Sequence, residues 1–233
     1  MQSSLLSRRV YDEIYEAMLA NRLGPGDRLN RRQVAADLGV SVAPVLEAMT
    51  QLEWEGFLET SPRRGTIVKA ITARHSLGRF RLRQAIEVEA ARSYAGSPIR
   101  HRKESLLKSA RRLDASKPGS LANWRAEVEF HERLVEAADC PVLCESFQHV
   151  MRHSLYHAAH KLLPALPPRA AAIHSQLVDA LSKASPDRAE QLIRGHLAPW
   201  ITALEQAATK EHPDAVEPVR YLRGQGVSLK ADD

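Results

Sequence analysis

Apolar residues recur along most of this chain every three or four positions, the spacing that lines up one face of an α-helix, and such segments continue to about residue 208. Over residues 6–23, Val10, Ile14 and Met18 stand four apart, predicting an amphipathic helix begun by Ser7 and ended before Gly24-Pro25-Gly26-Asp27. Residues 31–56 hold two shorter periodic runs, Val34 with Leu38 and then Val45, Met49 and Leu52. Between them Gly39-Val40-Ser41 reads as a tight turn. Gly39 would supply the left-handed backbone that ends one helix, and Ser41 would cap the next. Two helices joined this way make a helix-turn-helix, whose second helix can lie in the DNA major groove. An ordinary antiparallel helical pair fits the same stretch. After Gly56, FLET and GTIVKA flank Ser61-Pro62-Arg63-Arg64-Gly65, the pattern of a small β-hairpin with a basic tip. A helix-turn-helix followed by such a hairpin is a winged helix, with Arg63 and Arg64 placed for phosphate or the minor groove.

From about Arg74 the pattern is helical throughout. Residues 77–94 carry Leu82, Ile86 and Ala90 on one face, with Arg83 and Glu87 as an i,i+4 pair. Residues 105–113 continue the period until Lys117-Pro118-Gly119-Ser120 breaks it. Helices over 121–138 and 142–163 follow, separated by Asp139-Cys140-Pro141, and 164–168 form a proline-rich loop. Ile173, Leu177 and Leu181 mark a helix over 170–183, and Ser185-Pro186-Asp187 opens a last long one whose face is Leu192, Ile193, Leu197, Trp200, Ile201 and Leu204. Six amphipathic helices with short connections make an antiparallel bundle. The predicted class is therefore mostly α: a winged helix-turn-helix domain over 1–72, an antiparallel bundle of about six helices over 73–208, and a tail, 209–233, that is partly disordered or draped on the surface.

Composition narrows the partners. The 233 residues are enough for two domains with separate cores. A net charge of +5 is compatible with a polyanionic partner without requiring one. Residues 1–75 contain ten Lys and Arg against nine Asp and Glu, so any DNA-binding face depends on local placement of Arg31, Arg32, Arg63, Arg64 and Lys69. With no bilayer-length apolar run and no secretory leader pattern, the expectation is a cytoplasmic protein with no membrane partner. Cys140 and Cys144, the only cysteines, read as packing residues rather than a disulfide or a metal clip.

Several titratable residues carry candidate chemistry. Glu127 and His131, four apart, leave one helix on the same face. His174 stands beside Ile173, and His196 between Ile193 and Leu197, both at the margin of an inward face. A carboxylate and three imidazoles from three helices would suit Zn²⁺, Ni²⁺, Mn²⁺ or Fe²⁺. A histidine beside an apolar face is ordinarily a satisfied core residue, and the residues alone leave both readings open. His153, His157 and His160, spaced by four and three, read either as a polar helix face lining a cavity or as groups that touch a ligand.

The runs LGPGDRL, QVAADLGVSVAPVLEAMTQLEWEGFLE and PRRGTIV resemble the N-terminal domain of the GntR family of bacterial transcription regulators, in register from Leu6 to Val68. AEVEFHERLVEAADCPVL and IHSQLVDALSKASPDRAEQLIRGHL resemble two elements of the helical effector domain of its FadR-type subgroup. The resemblance implies a homodimer that binds palindromic operator DNA and senses a small organic acid. It implies DNA contacts from Arg31, Arg32, Ser41, Val42, Ala43, Leu46, Thr50, Arg63, Arg64 and Gly65. It also implies a divalent metal on Glu127, His131, His174 and His196, and effector contacts from Arg83, in RLRQAIEVEAA, with Arg152, His153 and His157 as candidate neighbours. The departures are Glu127 where Asp is usual, Ile173 where an acid commonly precedes the histidine, and Val42 and Leu46 where the family carries operator-contacting arginines. A metal-dependent enzyme is a second reading, although the sequence holds no HExxH, nucleophile elbow or phosphate-binding loop. A third is a regulator-derived binding module with weakened DNA reading.

Overall fold

The computed structural model describes residues 2–62, 64–163 and 165–211, which form nine α-helices and a three-stranded sheet. They divide into two compact units, the first ending at Ile71 and the second beginning at Thr72.

The first unit runs α1 (Gln2–Leu19), β1 (Arg28–Leu29), α2 (Arg31–Leu38), α3 (Val42–Glu55), β2 (Leu58–Ser61) and β3 (Gly65–Val68). Val10, Ile14 and Met18 of α1 are buried with Val45, Met49 and Leu52 of α3, so the apolar stripes read from the sequence form the core. Helix α1 starts at Gln2 rather than near Ser7 and stops at Leu19. Asn21 takes a left-handed φ of 56° there, and the N–H groups of Arg22 and Leu23 both donate to the carbonyl of Ala17. Leu23 then folds back into the core, which is why its periodicity reads as helix. The sheet order is β1-β3-β2, all antiparallel, with Leu58 opposite Val68 and Ser61 opposite Gly65.

The turn between α2 and α3 departs from expectation at one residue. Gly39 ends α2 with φ 65°, the left-handed conformation glycine adopts without steric cost. Ser41 occupies the N-cap of α3 with extended backbone, yet its hydroxyl makes no capping bond. The third residue of α3 is Pro44, which has no N–H for a cap to accept. The cap that forms is upstream: the Asn30 side chain accepts from the N–H groups of Arg32 and Gln33 at the start of α2.

The second unit is a helical bundle: α4 (Ala73–Tyr94), α5 (Ser97–Arg111), α6 (Leu121–Glu136), α7 (Pro141–Ala159), α8 (Ala170–Leu181) and α9 (Pro186–Lys210). Its core joins Tyr94, Ile99, Phe130, Leu134, Phe147, Met151, Val178, Leu181, Ile193 and Leu197. Thr72 caps α4 through the His75 N–H, starting that helix four residues before the expected Leu77. Ser97-Pro98 starts α5 eight residues before Ser105. The buried stripe of α4 keeps the expected Ile86 and Ala90 but not Leu82. Leu82 is 46% exposed, whereas Phe80, Arg83, Glu87 and Tyr94 are buried, so two charged residues take core positions. Helix α9 extends to Lys210, and residues 212–233 of the expected tail lie outside the described residues. Cys140 and Cys144 are free and partly buried. Among the described residues, no helix is long and apolar enough to cross a membrane.

Candidate metal centre and nucleic-acid interface

Three helices of the bundle bring four ligand-type side chains to one point. Helix α6 presents Glu127 and His131 one turn apart, α8 presents His174 and α9 presents His196, and one donor atom from each lies within 4.8 Å of the others. Glu127 Oε1 is 3.1 Å from His131 Nε2, Glu127 Oε2 is 3.0 Å from His174 Nε2, and the Nε2 atoms of His131 and His196 are 3.4 Å apart. Metal–ligand bonds of about 2.0–2.2 Å place neighbouring donors at about these separations. Although close, Glu127 Oε2 and His174 Nε2 lack hydrogen-bond alignment and are buried without a partner. Atoms aimed at a shared centre have this relationship.

The far side of each ring fixes its orientation. His131 Nδ1 donates to Glu87 Oε2 at 2.7 Å, and His174 Nδ1 donates to the Ala170 carbonyl at 2.7 Å. Both Nε2 lone pairs are thereby turned to the centre, the arrangement that metal-bound histidines use. Arg83 donates from Nε to Glu87 at 2.7 Å and approaches Glu127 with Nη2 at 3.4 Å. Phe130 stands edge-on to His131 and His174, its ring centroid 5.2 and 4.7 Å from theirs, and closes the site on its apolar side.

Electrostatics favour a cation here. One guanidinium faces two carboxylates in a fully buried setting, which leaves a negative charge that a proton or a metal ion can offset. Burial raises the carboxyl of Glu127, but His174 and His131 outweigh it and hold the group well below the usual range. Glu87 is likewise brought down to about 2, burial being overcome by His131 and Arg83. Burial pushes His131 down, yet Glu87 and Glu127 outweigh that effect and raise it. The two carboxylates that favour a proton on His131 equally favour a divalent cation in its place. Burial, with His131 and His174 nearby, pushes His196 down to about 3, so its imidazole is neutral and available as a ligand at ordinary pH.

Of the expected effector residues, Arg83 lies in the interior beside the ligand cluster. It is 1% exposed, and its Nε and Nη2 groups face Glu87 and Glu127. It supports the ligand cluster from behind. Glu87, seen in the sequence only as the partner of Arg83, is the residue that orients His131. On α7, His149, His153 and His157 form a ladder with ring centroids 6.1 and 6.0 Å apart, and Arg152 Nη2 lies 3.2 Å from His149 Nδ1. His153 and His157 are buried, and His157 Nδ1 has no hydrogen-bond partner. Burial, with Arg79, His160 and His75 around it, pushes His157 down to about 3.

In the first unit, the solvent face of α3 carries Val42, Ala43, Leu46 and Thr50. Arg31 and Arg32 are exposed in the first turn of α2, Ser41 is exposed just before α3, Arg64 is exposed at the hairpin and Gly65 begins β3. Arg63 lies outside the described residues. A cleft of about 320 Å³ between α3 and the hairpin is lined by Arg28, Arg31, Leu46, Thr50, Thr60 and Thr66, among others. The Arg28 guanidinium lies against Gly65, where an added Cβ would come within 3.1 Å of Nε. Glu53 fastens the hairpin to α3 by accepting from the backbone N–H and hydroxyl of Thr60. Sequence reading missed Arg28, Thr60 and Thr66 in this cleft. A two-residue strand such as β1 is too short for alternation to reveal.

Comparison with known proteins agrees with this geometry. Residues 6–68 match the family described as bacterial regulatory proteins, gntR family, and residues 79–199 match the FCD domain. A probable D-xylose utilization operon transcriptional repressor of Paenarthrobacter nicotinovorans is 26% identical over 199 residues, covering 85% of this chain and 88% of that protein. The HTH-type transcriptional repressor RspR of Escherichia coli is 23% identical over 197 residues, covering 82% of this chain and 86% of its own. The fold is similar to that of a putative GntR regulator from Rhodococcus sp. RHA1, with a TM-score of 0.65 at 20% identity over 86% of this chain and 98% of that one. The helix-turn-helix with its hairpin and the bundle with its histidine cluster thus fall within the two matched domains. The chain is a DNA-binding transcription regulator of the gntR family, with an FCD effector domain, and not an enzyme.

Proposed function

We propose that this regulator senses a small organic acid through a divalent metal ion held by Glu127, His131, His174 and His196, and that the acid changes its affinity for operator DNA. The observation that carries the reading is the convergence of three imidazole Nε2 atoms and one carboxylate on a buried, negatively charged point. FCD domains are often metal-binding, which supports it. A cation there supplies a Lewis-acidic centre with positions left for a carboxylate ligand. Zn²⁺, Ni²⁺, Mn²⁺ and Fe²⁺ all suit the donor set.

The chain's own residues have distinct parts in this reading. Glu87 and Arg83 hold His131 and Glu127 in place, while Arg152, His153 and His157 on α7 contact the acid. Residues 1–72 bind DNA through Arg31, Arg32, Ser41, Val42, Ala43, Leu46, Thr50, Arg63, Arg64 and Gly65, and residues 73–208 bind the effector and dimerise. A homodimer reads a palindromic operator, and the protein acts in the cytoplasm. An acid that binds two arrangements of the bundle unequally shifts the population that binds DNA by that difference in affinity.

The test is elemental analysis of the purified full-length chain, followed by DNA binding with and without candidate acids. Stoichiometric metal, and an acid response that disappears in a His196→Ala variant, are the expected results. Metal-free protein that responds to an acid would overturn the proposal.

A further inference from the structure

The exposed face of α3 has a chemistry suited to one feature of DNA. Val42 and Leu46, one turn apart, are 40% and 48% exposed, and Ala43 beside them is exposed too. The core does not use these side chains, because Val45, Ala48, Met49 and Leu52 supply the buried face of the same helix. They occupy the first and second turns of α3, the end of a recognition helix that meets base edges. Cations share the cleft that Leu46 lines, and others are exposed on the same unit. Arg31 and Arg32 are exposed on α2, Arg64 is exposed at the hairpin, and Arg28 lines the neighbouring cleft.

In the major groove the base pairs present hydrogen-bond donors, acceptors and the thymine C5-methyl group. A valine or leucine pressed against a donor or acceptor strips it of water and gives no partner in return, which costs binding. Against the methyl group the same side chain buries apolar surface on both partners. We infer that Val42 and Leu46 read thymine methyl groups, so that this regulator selects operator positions by thymine where an arginine would select guanine. The flanking arginines hold the phosphates, fixing register without choosing sequence. This inference rests on the operator-binding reading above.

The experiment uses the full-length, metal-loaded protein and selects bound sites from random duplex DNA. An enriched site with thymine at fixed half-site positions is expected. Replacing each such thymine by deoxyuridine removes only its methyl group and should weaken binding about fourfold per methyl. Val42→Ala and Leu46→Ala should each bring the thymine-to-deoxyuridine affinity ratio at one position toward unity, whatever they do to overall affinity. Thermal unfolding of both variants verifies that they fold. An enriched site with no deoxyuridine penalty overturns the inference and leaves operator binding intact. A library with no enriched site overturns operator reading itself, and this inference with it.

Discussion

His131 Nδ1 donates to Glu87 Oε2 across 2.7 Å, with both side chains fully buried. This bond joins α6 to α4 and sets which nitrogen of His131 faces Glu127, His174 and His196. On the proposed metal-binding reading, Glu87 governs metal affinity without offering a ligand atom. Glu87→Gln keeps an acceptor and removes the charge, and should weaken divalent-metal affinity about 10- to 100-fold. Competition titration against a chelator measures this, and unchanged affinity would show that the carboxylate only packs.

Metal should stabilise the bundle by mass action. At a free metal concentration a hundred times Kd, the folded state should gain about 2.7 kcal/mol. Thermal unfolding with and without Zn²⁺ measures the gain, which should vanish in His174→Ala. A stabilisation that persists in that variant would place the metal elsewhere.

His157 should make the stability of the fold fall with acid. Burial, with Arg79, His160 and His75 nearby, lowers it from 6.5 to about 3, so the unfolded chain binds its proton first as pH falls. Its contribution is fully present above about pH 6.5 and is lost progressively toward pH 3, at up to about 1.4 kcal/mol per unit. Denaturant unfolding at pH 7, 6 and 5 should show this slope, and His157→Gln should flatten it. An identical slope in the variant would assign the acid sensitivity to other groups.

The turn of the helix-turn-helix depends on backbone freedom at Gly39. A side chain there has open space within 4 Å but must accept φ 65°. Gly39→Ala should therefore destabilise the first unit by about 1–2 kcal/mol from backbone strain alone. Equilibrium denaturation of the variant tests it, and a neutral result would mean the turn can relax.

Val42→Arg combined with Leu46→Arg should change the mode of DNA binding. New phosphate or guanine contacts would raise affinity and steepen the salt dependence by about 0.9 in logarithmic slope for each phosphate neutralised. Binding to one duplex across a salt series reads both effects, and an unchanged slope would show that this face of α3 does not meet DNA.

The sequence by itself determined the helices and the hairpin and placed one pair of candidate ligands together. Periods of three to four residues mark every helix of the bundle because one face of each must be buried. Gly39 announces its turn because few other residues accept left-handed backbone. The spacing of Glu127 and His131 is enough to place both on one face, since two residues a helical turn apart are neighbours whatever the rest of the chain does. Other features are not local, and only the tertiary structure decided them. The convergence of His174 and His196 with that pair depends on how α8 and α9 pack beside α6. The role of Glu87 depends on what lies opposite it across 44 residues of chain. Periodicity placed Ile86 and Ala90 of α4 inside but also favoured Leu82 over Arg83 and Glu87, because it assumes that the core is apolar. Here two charges are buried against partners from another helix, and such pairing exists only once the chain has folded.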